Sequence, residues 1–251
     1  MSTDFNFMIG GEAGQGVQSI GLLLSKIFAR SGYHVFADQD YDSRIRGGHN
    51  IFRVRIREQQ VGAIRETLDI LVALNQETID LHQRELSPGG VAIYDNERAK
   101  DMGDGGQLLG LPMGKLALEK GGDKIMTNTV ALGAALAMVS YDTGILNDIL
   151  TRHFGRGQVA DDNMAAAKAG YDYVREQYKG GFSQLKHPGQ AARMLLTGND
   201  AISLAAIAAG CQFMAAYPMT PATSIMEYLA ARSKDLDIVM VHAEDEIAAV
   251  H

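Results

Sequence analysis

The chain has 251 residues, 46% hydrophobic and 21% charged, which is enough to bury the core of one large domain or two ordinary ones. Its formal net charge of -7 argues against broad binding to nucleic acid or to an anionic membrane, because phosphate groups call for a surplus of lysine and arginine. The single cysteine, Cys211, can form no internal disulfide and cannot by itself hold an iron–sulfur cluster or a structural zinc, and its apolar neighbours predict a small buried hydrophobe.

The opening MSTDFNFMIGGE lacks the basic and long apolar stretches of a signal peptide, and no apolar run is long enough to span a bilayer, so the cytoplasm is the expected location. Residues 5–10 predict a short apolar strand. A glycine-rich turn, Gly10-Gly11-Glu12-Ala13-Gly14-Gln15-Gly16, leads into an amphipathic helix over 17–31 that stops at Gly32. A second strand over 34–37 ends in Asp38-Gln39-Asp40. Strand, glycine turn, helix, strand is the opening of a parallel α/β sheet. Gly11, Gly14 and Gly16 let the helix amides approach an anion, and the turn nearly satisfies G-x-G-x-x-G, with Ser19 in place of the last glycine. Asp38 stands where a ribose-binding acid stands in a dinucleotide enzyme, so a nicotinamide-dependent dehydrogenase is one reading; a tight turn without a ligand is the plainer one.

The next loop carries Ser43, Arg44, Ile45, Arg46, Gly47, Gly48, His49 and Asn50. Guanidinium groups beside flexible glycines suit a carboxylate or phosphate; pairing with Asp38, Asp40 and Asp42, or with a partner subunit, is the structural alternative. Over 52–57, Phe52, Val54 and Ile56 alternate with Arg53, Arg55 and Arg57, which predicts a half-exposed strand, antiparallel or at a sheet edge, with its arginines in solvent or an interface. Residues 69–74 predict a strand covered on both faces, and a helix follows over 77–86. Pro88-Gly89-Gly90 turns into a strand over 91–94, and a short strand falls near 108–111. Helices follow over 128–140, 143–153 and 160–178, and Gly180-Gly181 opens a linker through Pro188-Gly189.

Beyond it, Asn199 predicts the N-cap of a helix that Gly210 ends, followed by a strand over 211–217. Tyr217-Pro218-Met219-Thr220-Pro221 then leaves the carboxyl end of that strand, with two prolines, a hydroxyl and the free amides of a following helix. Such a loop can grip a carboxylate or a diphosphate. A strand over 238–242 ends in Ala243-Glu244-Asp245-Glu246, acids crowded at one rim, where a carboxyl can be held protonated as catalytic acids are. The expected architecture is a three-layer, mostly parallel α/β domain over 1–180, a linker over 181–195, and over 196–251 the opening of a second α/β domain, too small to bury a core alone and read as a piece of a larger subunit.

Four motifs in order, at 11–19, 43–50, 217–221 and 243–249, resemble the fused gamma–alpha subunit of 2-oxoacid:ferredoxin (acceptor) oxidoreductases, most of all the 2-oxoglutarate type. The resemblance implies a gamma domain to about residue 180. It implies the start of an alpha domain that holds the aminopyrimidine half of thiamine diphosphate. It further implies that Tyr217, Pro218, Met219 (isoleucine is usual there), Thr220 and Pro221 line the substrate site, with Thr220 on the 2-oxoacid carboxylate. Glu244, or else Glu246, would contact the aminopyrimidine nitrogen as the catalytic acid. Gly11, Gly14, Gly16, Arg44, Arg46, Gly47, Gly48 and His49 would contribute to coenzyme A binding. A beta subunit would carry the diphosphate, Mg2+ and the iron–sulfur cluster in a heterodimer, with ferredoxin as acceptor. A non-catalytic gamma domain that only assembles the complex is the remaining alternative.

Overall fold

The structure, a computed structural model, describes residues 3–41, 48–100, 107–179 and 184–251. The chain divides into two compact units, Met1–Met194 and Leu195–His251.

The first unit is built on a six-stranded sheet of order β2-β3-β1-β4-β5-β6. Its strands are β1 (Asp4–Glu12), β2 (His34–Tyr41), β3 (His49–Arg57), β4 (Leu68–Ala73), β5 (Leu86–Asp95) and β6 (Gln107–Leu111). Only β3 runs against the rest: it pairs antiparallel with both β1 and β2, whereas β1, β4, β5 and β6 pair in parallel. The alternation over 52–57 therefore marks an antiparallel strand, but an interior one and not an edge. The polar Asp38-Gln39-Asp40 lies inside β2, hydrogen-bonded to β3. Gly10, Gly11 and Glu12 extend β1, so the turn itself is shorter than the glycine pattern suggests.

Alternate side chains of β1 serve two layers. Phe7 and Ile9 join a core formed with α1 (Val17–Arg30), α4 (Thr127–Met138), α5 (Gly144–Phe154) and α6 (Gln158–Gln177). Met8 faces the other way, into a smaller cluster with Leu71, Ile79 and Ala92, which α2 (Gln76–His82) covers. Helix α3 (Met113–Leu116) follows β6. Helix α4 is apolar all round, as a helix enclosed by others must be. It meets α6 so closely that a Cβ on Gly133 would sit 1.8 Å from the Ala167 carbonyl oxygen, and one on Gly170 would sit 2.0 Å from that of Val130.

Residues 184–194 carry no helix or strand, yet they are tied to the first unit. Leu185 is buried in its core, and the Tyr33 hydroxyl donates to the Lys186 carbonyl. The Arg193 backbone amide donates to the Ala29 carbonyl at 2.8 Å and its Nε to the Gly32 carbonyl at 3.0 Å.

The second unit holds α7 (Gly198–Ala208), β7 (Phe213–Ala216), α8 (Thr223–Ala230), α9 (Ser233–Leu236), β8 (Val239–His242) and α10 (Glu246–Val250), with β7 and β8 forming a two-stranded parallel sheet. Thr197, not Asn199, caps α7: its hydroxyl accepts from the Asp200 amide while the Asp200 carboxylate accepts from the Thr197 amide. Cys211 is half-buried, not enclosed, and its thiol donates to the Phe213 carbonyl at 3.3 Å.

Candidate functional site

Two rims concentrate the residues singled out by the sequence, one on each unit. In the first unit the chain leaves β1 toward β2 on one side and later leaves β4 toward β5 on the other. The sheet therefore reverses its winding between β1 and β4, and open α/β sheets bind ligands at the carboxyl ends of strands at such a switch. Gly11 lies in β1 opposite Asn50, and Glu12 lies opposite His49. Gly14 and Gly16 take φ of 90° and 82°, a region that favours glycine, and a Cβ on Gly16 would come within 2.5 Å of Asn128 Nδ2 at the start of α4. The Gln15 side chain accepts from the Glu12 amide at 2.8 Å and closes the turn.

His49 belongs to this rim. Its Nε2 is 2.8 Å from His82 Nε2 with the rings stacked, and His82 Nδ1 is 2.7 Å from Glu85 Oε1. Gly48, with φ of 89°, leads into β3. Arg44, Arg46 and Gly47 lie outside the described residues. The arginines of β3 have structural partners. Arg53 makes a two-pronged pair with Asp38 at 2.8 and 2.9 Å, and Arg55 makes one with Asp4 at 2.9 and 2.8 Å. Asp38 is thus engaged by a strand neighbour. With β3 inserted between β1 and β2, the strand order also departs from that of dinucleotide-binding sheets.

The second rim follows from strand register. β7 and β8 pair in parallel with Ala216 opposite His242, and the Ala243 amide donates to the Ala216 carbonyl at 3.0 Å. The segments 217–221 and 243–246 therefore leave adjacent strands at the same end. Tyr217, Pro218, Met219, Thr220 and Pro221 form an elbow with a cis Thr220-Pro221 bond. Inside it, the amides of Ala222 and Thr223 donate to the Met219 carbonyl at 2.8 and 3.1 Å. Thr220 is exposed, and its hydroxyl makes no hydrogen bond among the described residues. Glu244 is exposed in the loop after β8. Glu246 opens α10, and Asp245 caps that helix by accepting from the Ala248 amide at 2.7 Å. The sequence does not reveal the part played here by Asn199, whose side-chain amide donates to the Pro221 carbonyl at 2.7 Å and the Ser224 hydroxyl at 2.6 Å. It does not reveal His82 and Glu85 either, since no local pattern links a helix terminus to a strand start more than thirty positions away.

Among the described residues no group of three or more histidine, cysteine or acidic side chains is placed to hold a metal ion, and no helix is long and apolar enough to cross a membrane.

A mostly parallel sheet with a glycine turn at its switch point and, in the second unit, a proline elbow and acids at the end of a parallel strand pair define a two-module α/β protein with a candidate site on each module. Residues 6–173 match the family described as pyruvate ferredoxin/flavodoxin oxidoreductase, and the chain belongs to it. Residues 204–251 match the thiamine diphosphate-binding region described as pyruvate flavodoxin/ferredoxin oxidoreductase. Among curated relatives, subunit alpha of 2-oxoacid:ferredoxin oxidoreductase 2 from Aeropyrum pernix is 25% identical over 99% of this chain and 48% of its own length. Ketoisovalerate oxidoreductase subunit VorA from Methanothermobacter thermautotrophicus is 32% identical over 68% of this chain and 37% of its own. The chain thus spans about half the length, or less, of these relatives. A solved 2-oxoglutarate:ferredoxin oxidoreductase from Magnetococcus marinus, with 2-oxoglutarate, coenzyme A and succinyl-CoA bound, superposes with a TM-score of 0.85 at 28% identity, over 100% of this chain and 45% of that one. The keto/oxoacid ferredoxin oxidoreductase gamma subunit from Geobacter sulfurreducens shares the fold, with a TM-score of 0.59 at 23% identity over 68% of this chain and 98% of its own.

Proposed function

We propose that the chain is the gamma domain and the opening of the alpha domain of a cytoplasmic, thiamine-diphosphate-dependent 2-oxoacid:ferredoxin oxidoreductase that acts on 2-oxoglutarate and forms an acyl-CoA. Residues 1–180 are the gamma domain, 181–195 the linker and 196–251 the start of the pyrimidine-binding domain. The observation that carries this reading is the parallel register of β7 and β8, which brings the Thr220 elbow and Glu244 to one rim. An exposed threonine hydroxyl that makes no hydrogen bond among the described residues, beside an exposed carboxylate, fits one half of a thiamine site. Glu244, or Glu246 in its place, would donate its carboxyl proton in a hydrogen bond to the aminopyrimidine ring nitrogen and so control the protonation of that ring. Thr220 would donate to the carboxylate of the 2-oxoacid. Thiamine diphosphate, when bound, supplies the carbanion chemistry, and the protein supplies position and proton control.

The diphosphate, Mg2+ and iron–sulfur cluster belong to a beta subunit, with ferredoxin as electron acceptor. Coenzyme A is received at the first rim by Gly11, Gly14, Gly16, Gly48 and His49, with Arg44, Arg46 and Gly47, which precede Gly48 in sequence, as further contributors. The test is co-expression of the full-length subunit with its beta partner and assay on a panel of 2-oxoacids. We expect coenzyme A-dependent reduction of ferredoxin, fastest with 2-oxoglutarate, and no turnover by residues 1–251 alone. Turnover without a beta subunit, or none with any 2-oxoacid in the assembled complex, overturns the reading.

A further inference from the structure

Thr220 stands between two points of backbone restraint. On its N-terminal side the Met219 carbonyl accepts from the amides of Ala222 and Thr223 at 2.8 and 3.1 Å, a turn internal to the elbow. On its C-terminal side the Pro221 carbonyl accepts from Asn199 Nδ2 at 2.7 Å, a side chain from another element. The same nitrogen donates to the Ser224 hydroxyl at 2.6 Å, so both protons of the amide are committed to the elbow and the first turn of α8. Asn199 is itself held. It lies in the first turn of α7, inside the capping box of Thr197 and Asp200, and its backbone carbonyl accepts from the hydroxyl of the fully buried Ser203 at 2.8 Å.

We propose that Asn199 is the positioning residue of the elbow, fixing the backbone beyond Thr220 so that the threonine hydroxyl is presented to the 2-oxoacid in one orientation. This rests on the function proposed above. Two donors on one nitrogen are what the geometry requires, because both partners accept there. Aspartate has the same shape and no donor when ionised, so at position 199 it would set a carboxylate oxygen against the Pro221 carbonyl oxygen and reverse an attraction into a repulsion.

The experiment uses the full-length subunit assembled with its beta partner. With 2-oxoglutarate as the varied substrate, it compares Asn199→Asp, Ser224→Ala and Thr220→Val in KM, kcat and thermal midpoint. Asn199→Asp is expected to raise KM by about tenfold, the loss of one well-placed hydrogen bond, with kcat changed far less and the melting temperature close to that of the parent. Ser224→Ala, which leaves the Pro221 contact intact, is expected to raise KM by about twofold. Thr220→Val separates the two readings. If it raises KM and Asn199→Asp does not, the positioning role is overturned while the elbow remains the substrate site. If Thr220→Val leaves KM unchanged, the elbow reading itself fails and the role assigned to Asn199 fails with it. A fall in melting temperature and kcat together, with KM constant, assigns Asn199 to stability alone and likewise overturns the proposal.

Discussion

Asp4 shows how little of a side chain's role is carried by its own surroundings in sequence. It sits among three arginines: Arg55 grips both carboxylate oxygens, and Arg57 Nε and Arg65 Nη1 lie 3.4 and 3.9 Å away. The hydrogen bond from Arg55, reinforced by the charges of all three arginines, holds the Asp4 carboxyl below its ordinary value of 3.8 in spite of partial burial. Between that lowered value and 3.8 the unfolded chain binds more protons than the native one. The stabilisation from Asp4 is therefore complete above pH 3.8 and lost as pH falls through the native value. Asp4→Asn is expected to cost about 1–2 kcal/mol at pH 7, with the gap to the parent closing as the pH drops below the ordinary carboxylate range. Urea unfolding across a pH series measures both; a gap constant with pH would remove the charge-pairing explanation. The alternating arginines of β3 are legible in the sequence as a polar strand face. Their partners are not, because Asp4 and Asp38 lie 51 and 15 positions away and meet them only once β3 enters between β1 and β2. Asn199 misleads for the same reason. An asparagine before an apolar helical run fits a cap, yet the threonine two places earlier takes that role while a loop some twenty residues on takes the asparagine.

At the scale of elements, sequence periodicity names the strands and helices of the first unit but cannot order them. Strict alternation in β3 is a property of one strand against solvent and core, and it holds equally at an edge or inside a sheet whose outer face is filled by ion pairs. The packing of α4 on α6 is hidden for a different reason. An alanine-rich helix advertises burial, but the closeness of its partner is set by two glycines that look, in sequence, like weak points. Gly133→Ala and Gly170→Ala would each force a methyl group against a backbone carbonyl of the facing helix, which cannot move away without breaking its own hydrogen bond. We expect each to destabilise the first unit by about 2–3 kcal/mol or more despite the better helix propensity of alanine. Gly198→Ala, where a Cβ would meet nothing within 4 Å, is expected to be neutral or slightly stabilising. Thermal melts of the three variants check the ordering, and equal melting temperatures would mean that the helices separate without penalty.

At the scale of the whole molecule the two units differ in how completely they enclose apolar surface. The first unit buries both faces of its sheet, and the strap of residues 184–194 adds Leu185 to that core. In the second unit the buried residues are few, among them Leu229, Ile238 and Ala243, while Phe213 and Val239 on the paired strands remain 60% and 58% exposed and Ile247 on α10 71% exposed. A parallel sheet is ordinarily covered on both faces, and a small unit with this much apolar surface in water recovers too little hydrophobic free energy to offset the entropy of ordering its chain. The motifs of the second unit are nevertheless legible, because a proline elbow and an acidic loop are written in consecutive residues and need only strand register to meet. Residues 1–194 expressed alone are therefore expected to unfold in a single cooperative transition. Residues 195–251 alone are expected to show weak, gradually melting secondary structure and to bind a hydrophobic dye such as ANS. Circular dichroism with temperature, run on both pieces, decides it: a sharp transition and no dye binding from 195–251 would show that the small unit closes its own core after all.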